Sequence, residues 1–336
     1  MGLITGKSAA ISSSVYLCSY ASIVGPKEGQ GPLKYSFDEI IDDELYEEKT
    51  WEKAESKMIR NVYDKILSKG GIISDDINYI LTGDLLNQCI ASGFGLKESQ
   101  TSFLGLYGAC STMAESIAIG AMIMDGGFAN NIAAITSSHY CSAERQYRFP
   151  IELGNQRAPS SQWTVTGAGG VLLSNISDNN NVMVKKITIG KIVDMGIKDV
   201  NNMGAAMAPA AAETLLTHFK DFNIDPSYYD LIVTGDLGKY GKEICIDLVR
   251  MNGYDISANY NDCGMMIYDN LKQDTHAGGS GCGCSAAILA GELMGRLKRA
   301  DIEKLLFVGT GALLSPVSAS QGQPVLGIAH AVGIER

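Results

Sequence analysis

The chain has 336 residues, 46% hydrophobic and 19% charged, with 38 glycines, 8 prolines and a formal net charge of −10. This is an ordinary globular composition, long enough for two domains of typical size. The acidic balance argues against a nucleic-acid binder, which needs clustered Lys and Arg, and no apolar run reaches the roughly 18–20 residues that span a bilayer.

The first residues lack the layout of a secretory signal, so the eight cysteines are expected to be reduced thiols. Cys282-Gly-Cys284 is not a zinc-type C-x-x-C, and no second Cys/His pair stands at ligand spacing, so no metal is expected. No phosphate-binding glycine motif stands between a strand and a helix, so no nucleotide cofactor is expected either.

Residues 1–24 alternate small and apolar groups and predict an opening strand. Residues 25–50, with the acidic run from Asp38 to Glu48, read as a surface excursion with a solvated face, leading into a helix through about Ser68. A buried strand follows and ends in Thr82-Gly83-Asp84. Phe103 to Tyr107 reads as a strand end, followed by a tight turn, Cys110, and a helix from about Ser111 to Met124 that is apolar nearly all round. Gly120 inside that helix marks a close approach by a neighbour, and Gly126-Gly127 ends it. A thiol before such a helix meets free backbone N–H groups and the positive end of the helix dipole, which favours the thiolate and a bound anion. A small buried cysteine that merely packs is the alternative.

The second half echoes the first. Ile-Leu-Thr82-Gly-Asp-Leu returns as Ile-Val-Thr234-Gly-Asp-Leu, Asn131–Ser137 as Leu305–Gly311, and Gly167–Leu173 as Val325–Val332, in the same order. The polar run Ser174–Asn181 suits a junction, so the chain reads as a duplicated α/β unit with halves 1–178 and 183–336. Strands alternating with buried helices imply a mostly parallel sheet in each half.

A duplicated α/β unit with a cysteine opening a buried helix in its first half resembles the thiolase and ketoacyl-synthase superfamily. Phe103-Leu-Gly-Leu-Tyr-Gly-Ala-Cys-Ser is similar to the nucleophile segment of the chain-initiating ketoacyl synthases, and Trp163–Leu173 to their glycine-rich strand. The resemblance implies a thiolase-like fold: duplicated five-stranded mixed sheet units in a layered α/β/α/β/α arrangement. Thr136-Ser-Ser-His, Gln146-Tyr-Arg-Phe-Pro, Ser161–Gly169, Asp274–Ser285 and Gly327-Ile-Ala-His-Ala-Val more closely resemble the stage V sporulation protein AD family of spore formers. That resemblance implies binding of dipicolinic acid (pyridine-2,6-dicarboxylate), free or as its calcium chelate, and its loading into the developing spore. The protein would work with the membrane subunits of a channel, peripherally, at the cytoplasmic face or the spore inner membrane. Superfamily members commonly form homodimers, and the apolar strand Asn131–Thr136 suits either a dimer or a monomer's core.

Condensing chemistry needs a cysteine nucleophile and two further groups, typically His and Asn, that stabilise the developing anion. The initiating synthases carry that His after a second-half strand; here Thr234-Gly235-Asp236 stands there, and Gly281–Cys284 stands where their Asn would be. The expectation is a non-catalytic binding protein; the alternative is an acyltransferase or condensing enzyme acting on acyl-coenzyme A through Cys110. The expected ligand site draws on the helix start (Cys110, Ser111, Thr112), the hydroxyls of Ser137 and Ser138, His139, the Arg145/Arg148 pair, Trp163 as a stacking surface, and His276 facing Cys110. Each has a plainer reading: His139 as a turn cap, the arginines as surface groups, Trp163 as core. His330 reads as a core histidine and His218 as a surface one.

Overall fold

The computed structural model describes residues 2–147, 157–178 and 180–336. On one side the strands run Tyr16–Val24, Gly167–Ser174, Asn131–Ser138, Tyr79–Gly83 and Ser102–Gly105; on the other they run Met183–Ile189, Leu326–Glu335, Lys304–Leu313, Leu231–Thr234 and Tyr260–Asp262. In each run the first two pairings are antiparallel and the last two parallel. Thr82 and Thr234 lie at the ends of strands that occupy the same place in the two runs. A single register pair, Tyr16 with Met183, joins the runs directly.

Three apolar clusters show how the layers stack. Period-two alternation sends Ile132 and Ala134 to the inside and Ala133 and Ile135 to the outside of the first sheet. In the second sheet Leu305 and Phe307 face inward, Leu306 and Val308 outward. The inner faces close on the helices Thr112–Asp125 and Cys282–Ile288, which contribute Met113, Ile117, Ala121 and Ile288. The outer faces carry Trp51–Gly70 and Met203–Phe222, each of 20 residues. Thr50 and Asn202 cap their N-termini by accepting from the N–H groups of Lys53 and Ala205. This is the expected α/β/α/β/α arrangement, helices outside, two sheets, and the Cys110 helix in the middle layer.

One open alternative is decided and two expectations need correction. Asn131–Ser138 lies between two neighbours inside its sheet, so it has no free edge for a second copy; the described edge of that sheet is Ser102–Gly105, all four residues exposed. His218 is buried rather than on the surface, its ring bonded to the Thr188 and Tyr229 hydroxyls at 2.8 and 2.7 Å. Part of the acidic excursion folds inward: Glu44 accepts from the Thr166 hydroxyl at 2.9 Å, and its carbonyl meets His139 at 2.7 Å. Among the described residues, no helix is long and apolar enough to cross a membrane.

Candidate functional site: the chamber at Cys110

The turn that presents Cys110 is built from its own hydroxyls. Ala109 adopts a left-handed φ of 51°, rare for a residue with a side chain, and the turn Ala109–Ser111 opens into the helix Thr112–Asp125. The Ser111 hydroxyl donates to the Gly108 carbonyl and the Thr112 hydroxyl to the Ala109 carbonyl, both at 2.7 Å. The Gly108 N–H donates to the Thr112 oxygen at 3.1 Å. Gly311, on the facing strand, makes this packing possible: a Cβ there would lie 2.4 Å from the Gly108 carbonyl oxygen. Ser111 and Thr112 therefore hold the turn together.

Cys110 is buried, and its thiol feels the carboxyl of Asp236 on one hand and the Gly281 N–H, which acts in the opposite sense, on the other. Asp236 follows the second Thr-Gly echo and is itself fully buried. Its Oδ1 accepts from the Thr310 hydroxyl at 2.7 Å; its Oδ2 accepts from the Gly281 N–H at 2.8 Å and the Ser280 hydroxyl at 3.1 Å. Burial, then the Asp236 carboxyl and the Cys282 thiol, push the Cys110 pKa well above its ordinary value. Burial likewise raises that of Asp236. Of the two readings of Cys110, burial and the Asp236 carboxyl favour the packed thiol over the thiolate.

A chamber lies beside the thiol, lined by the polar Tyr107, Cys110, Glu144, Tyr147, Thr164 and Ser280 and by the apolar Leu85, Met203, Ala312 and Leu314. It offers about 50 Å³ to the centres of water molecules, room for roughly four waters. No Lys or Arg lines it among the described residues. At its wall the Tyr107 and Tyr147 hydroxyls meet at 2.5 Å, and the Tyr147 hydroxyl donates to the Leu85 carbonyl at 2.5 Å. The Thr164 hydroxyl donates to Glu144 at 3.0 Å.

The other expected residues scatter around this chamber. Ser137 donates to Glu55 at 2.9 Å and Ser138 to the Val165 carbonyl at 2.7 Å, so both hydroxyls are spent on the scaffold. The His139 Nδ1 accepts from the Cys141 N–H at 3.2 Å, which leaves Nε2 to donate to the Glu44 carbonyl. Burial lowers its pKa, in keeping with a neutral ring that clamps a loop. Arg145 turns away from the chamber, pairs with Glu52 and lies 5.2 Å over the Trp51 ring. Arg148 lies outside the described residues. Trp163 stacks on Tyr140 at 3.9 Å. His276 does not meet Cys110: its Nδ1 donates to the Ala158 carbonyl at 2.8 Å, and it lines a second, open cavity with Arg157 and Lys239. Asp236 stands outside the expected site, although the repeated Thr-Gly-Asp marks it in the sequence. Glu144, Tyr107, Tyr147, Thr164 and Ser280 carry no such signal.

The sequence model of the stage V sporulation protein AD family matches residues 5–335. The stage V sporulation protein AD of Bacillus subtilis is 40% identical over 322 residues, which cover 96% of this chain and 94% of that one. Among solved structures, a variant of OleA from Xanthomonas campestris superposes with a TM-score of 0.63 at 13% identity, covering 96% of this chain and 99% of that one. The 3-oxoacyl-[acyl-carrier-protein] synthase III of Aquifex aeolicus superposes with a TM-score of 0.58 at 10% identity, covering 96% and 100%. At such identities these two establish the fold alone.

Proposed function

The chain belongs to the stage V sporulation protein AD family, and from that premise we propose that the Cys110 chamber is a non-catalytic binding site for dipicolinic acid. The observation that carries the non-catalytic part is the partner of the thiol. Cys110 faces a buried carboxyl where a condensing enzyme needs a base and anion-stabilising donors. A carboxyl beside the sulfur opposes both the thiolate and an oxyanion. Donors of the oxyanion-hole kind are each worth about 10²–10³-fold in rate, so their loss leaves little chemistry.

Recognition in this reading rests on neutral donors. The Tyr107, Tyr147, Thr164 and Ser280 hydroxyls bound the space, and to donate to ligand carboxylates they would have to turn from Tyr147, the Leu85 carbonyl, Glu144 and Asp236, while apolar Leu85, Met203 and Leu314 meet the ring face. A pyridine dicarboxylate is larger than four waters, so its binding requires the chamber walls to move apart. In the cell the protein would act peripherally, on the membrane subunits of the spore's dipicolinate channel, and take the ligand free or as its calcium chelate.

Two further parts of the reading concern assembly. The halves 1–178 and 183–336 are duplicated units, supported by the repeated strand order. A homodimer would form through the edge Ser102–Gly105, where Phe103 and Leu104 are 42% and 41% exposed.

The acyltransferase alternative is tested by incubating the full chain with acyl-coenzyme A and reading Cys110 by intact and peptide mass spectrometry. No adduct is expected; stoichiometric, hydroxylamine-sensitive acylation of Cys110 would overturn the non-catalytic reading.

A further inference from the structure

Arg157, Lys239 and His276 line an open cavity of about 600 Å³ together with Ala158, Pro159 and Tyr240, and none of these residues lines the Cys110 chamber. The two spaces are separated by a thin ribbon. Trp163 and Thr164 pair with Gly279 and Ser280; Thr164 and Ser280 face the chamber, while Trp163 carries the cations of the open side.

Arg157 is held in place before any ligand arrives. Its Nη2 donates to the Asp274 carbonyl at 2.8 Å and pairs with the Asp274 carboxylate at 3.0 Å, and its guanidinium lies 4.7 Å over the Trp163 ring. Tyr140 covers one face of that ring, and the Lys27 ammonium sits 3.7 Å from its centroid as well. The Arg157 Nη1, by contrast, is buried with no hydrogen-bond partner among the described residues. An unspent guanidinium donor is costly to bury, and its fork geometry suits a carboxylate or phosphate oxygen. Lys27 and Lys239 make no ion pair among the described residues either. Against these cations stand Asp274, 74% exposed and shared between Arg157 and His276, and, at Lys27, the carboxyls of Glu28 and Glu44. His276 holds its place through a left-handed φ of 53° and its bond to Ala158. A concave cluster with surplus positive charge, on a molecule of net charge −10, concentrates small anions locally.

We propose that this basic cavity is a second binding site, for a small dianion bearing carboxylate or phosphate oxygens, with the Arg157 Nη1 and the Lys239 ammonium as its charge partners. The site stands on its own observations and does not depend on what the Cys110 chamber holds.

The test uses calorimetry on the full chain carrying Cys110→Trp, which fills the chamber, with dipicolinate in one arm and inorganic phosphate in the other. One salt-sensitive site is expected in at least one arm, and the arm that binds identifies the anion's source. Adding Arg157→Gln should weaken it about tenfold or more, and Lys239→Gln, at an exposed residue that does not threaten the fold, about 3–10-fold. Absence of binding in both arms overturns the proposal, as does binding that neither substitution changes. If instead the parent and Cys110→Trp bind alike while both charge substitutions abolish binding, the second site stands and the chamber reading falls.

Discussion

Cys110 illustrates how a local signal is overridden by its surroundings. A helix N-terminus is worth at most about 2 kcal/mol to a charged group, which is roughly 1.5 pKa units. Full burial acts in the opposite direction and raises the Cys110 pKa, and the Asp236 carboxyl adds to it. The glycine turn and the apolar run made the cysteine legible in the sequence. Its partner was not, because Asp236 comes from the other half and only the fold brings it to the sulfur. Alkylation of Cys110 by iodoacetamide should therefore be much slower at pH 8 than that of an unstructured cysteine peptide; comparable rates would show an activated thiol.

Glu28 gives a pH prediction of its own. It is fully buried, accepts from the Tyr268 hydroxyl and the Thr166 N–H, and burial raises its pKa from 4.5 to about 7. The folded state thus holds a proton that the unfolded state has released, so this stability is complete below pH 4.5 and is lost as pH rises through 7. Glu28→Gln, which imitates the protonated form, should flatten the fall in melting temperature between pH 5 and 8. A linkage of about 1–3 kcal/mol is expected, and an unchanged pH profile would remove Glu28 from the account. Arg145, half-exposed at 43% and paired with Glu52, gives the opposite case. Arg145→Ala should leave dipicolinate affinity within about twofold and cost less than about 1 kcal/mol of stability, by calorimetry and denaturant melts.

At the scale of elements, local pattern located the pieces and missed their neighbours. The helix expected from Ser111 to Met124 runs Thr112–Asp125, and its glycine end is where the sequence puts it, because periodicity and terminal glycines are local properties. Gly120 does meet a neighbour, with its missing Cβ 3.1 Å from the Leu173 side chain. Strand order is not local. Nothing within Asn131–Ser138 reveals that it lies inside the sheet while the less regular Ser102–Gly105 forms the edge. If a second copy pairs there, Leu104→Lys should shift the protein toward monomer in light scattering without changing its melting temperature by more than about 2 °C, since exposed substitutions stay within ±0.5 kcal/mol. A parent already monomeric at micromolar concentration would count against the dimer.

For the whole molecule, the sequence echoes and the strand order agree because both record the same repeated unit, and the chamber lies where the halves meet. Leu85, Tyr107 and Cys110 come from the first half, Met203, Ser280 and Ala312 from the second. The set of wall residues was largely hidden in the sequence, since a site shared by two halves leaves no contiguous motif. Calorimetric titration of the parent against Cys110→Trp is the decisive test of dipicolinate binding in this shared chamber. A saturable component is expected in the parent that disappears in Cys110→Trp and weakens about 2–10-fold in Tyr147→Phe, the range for one neutral hydrogen bond. Superimposable isotherms for the parent and Cys110→Trp would contradict it.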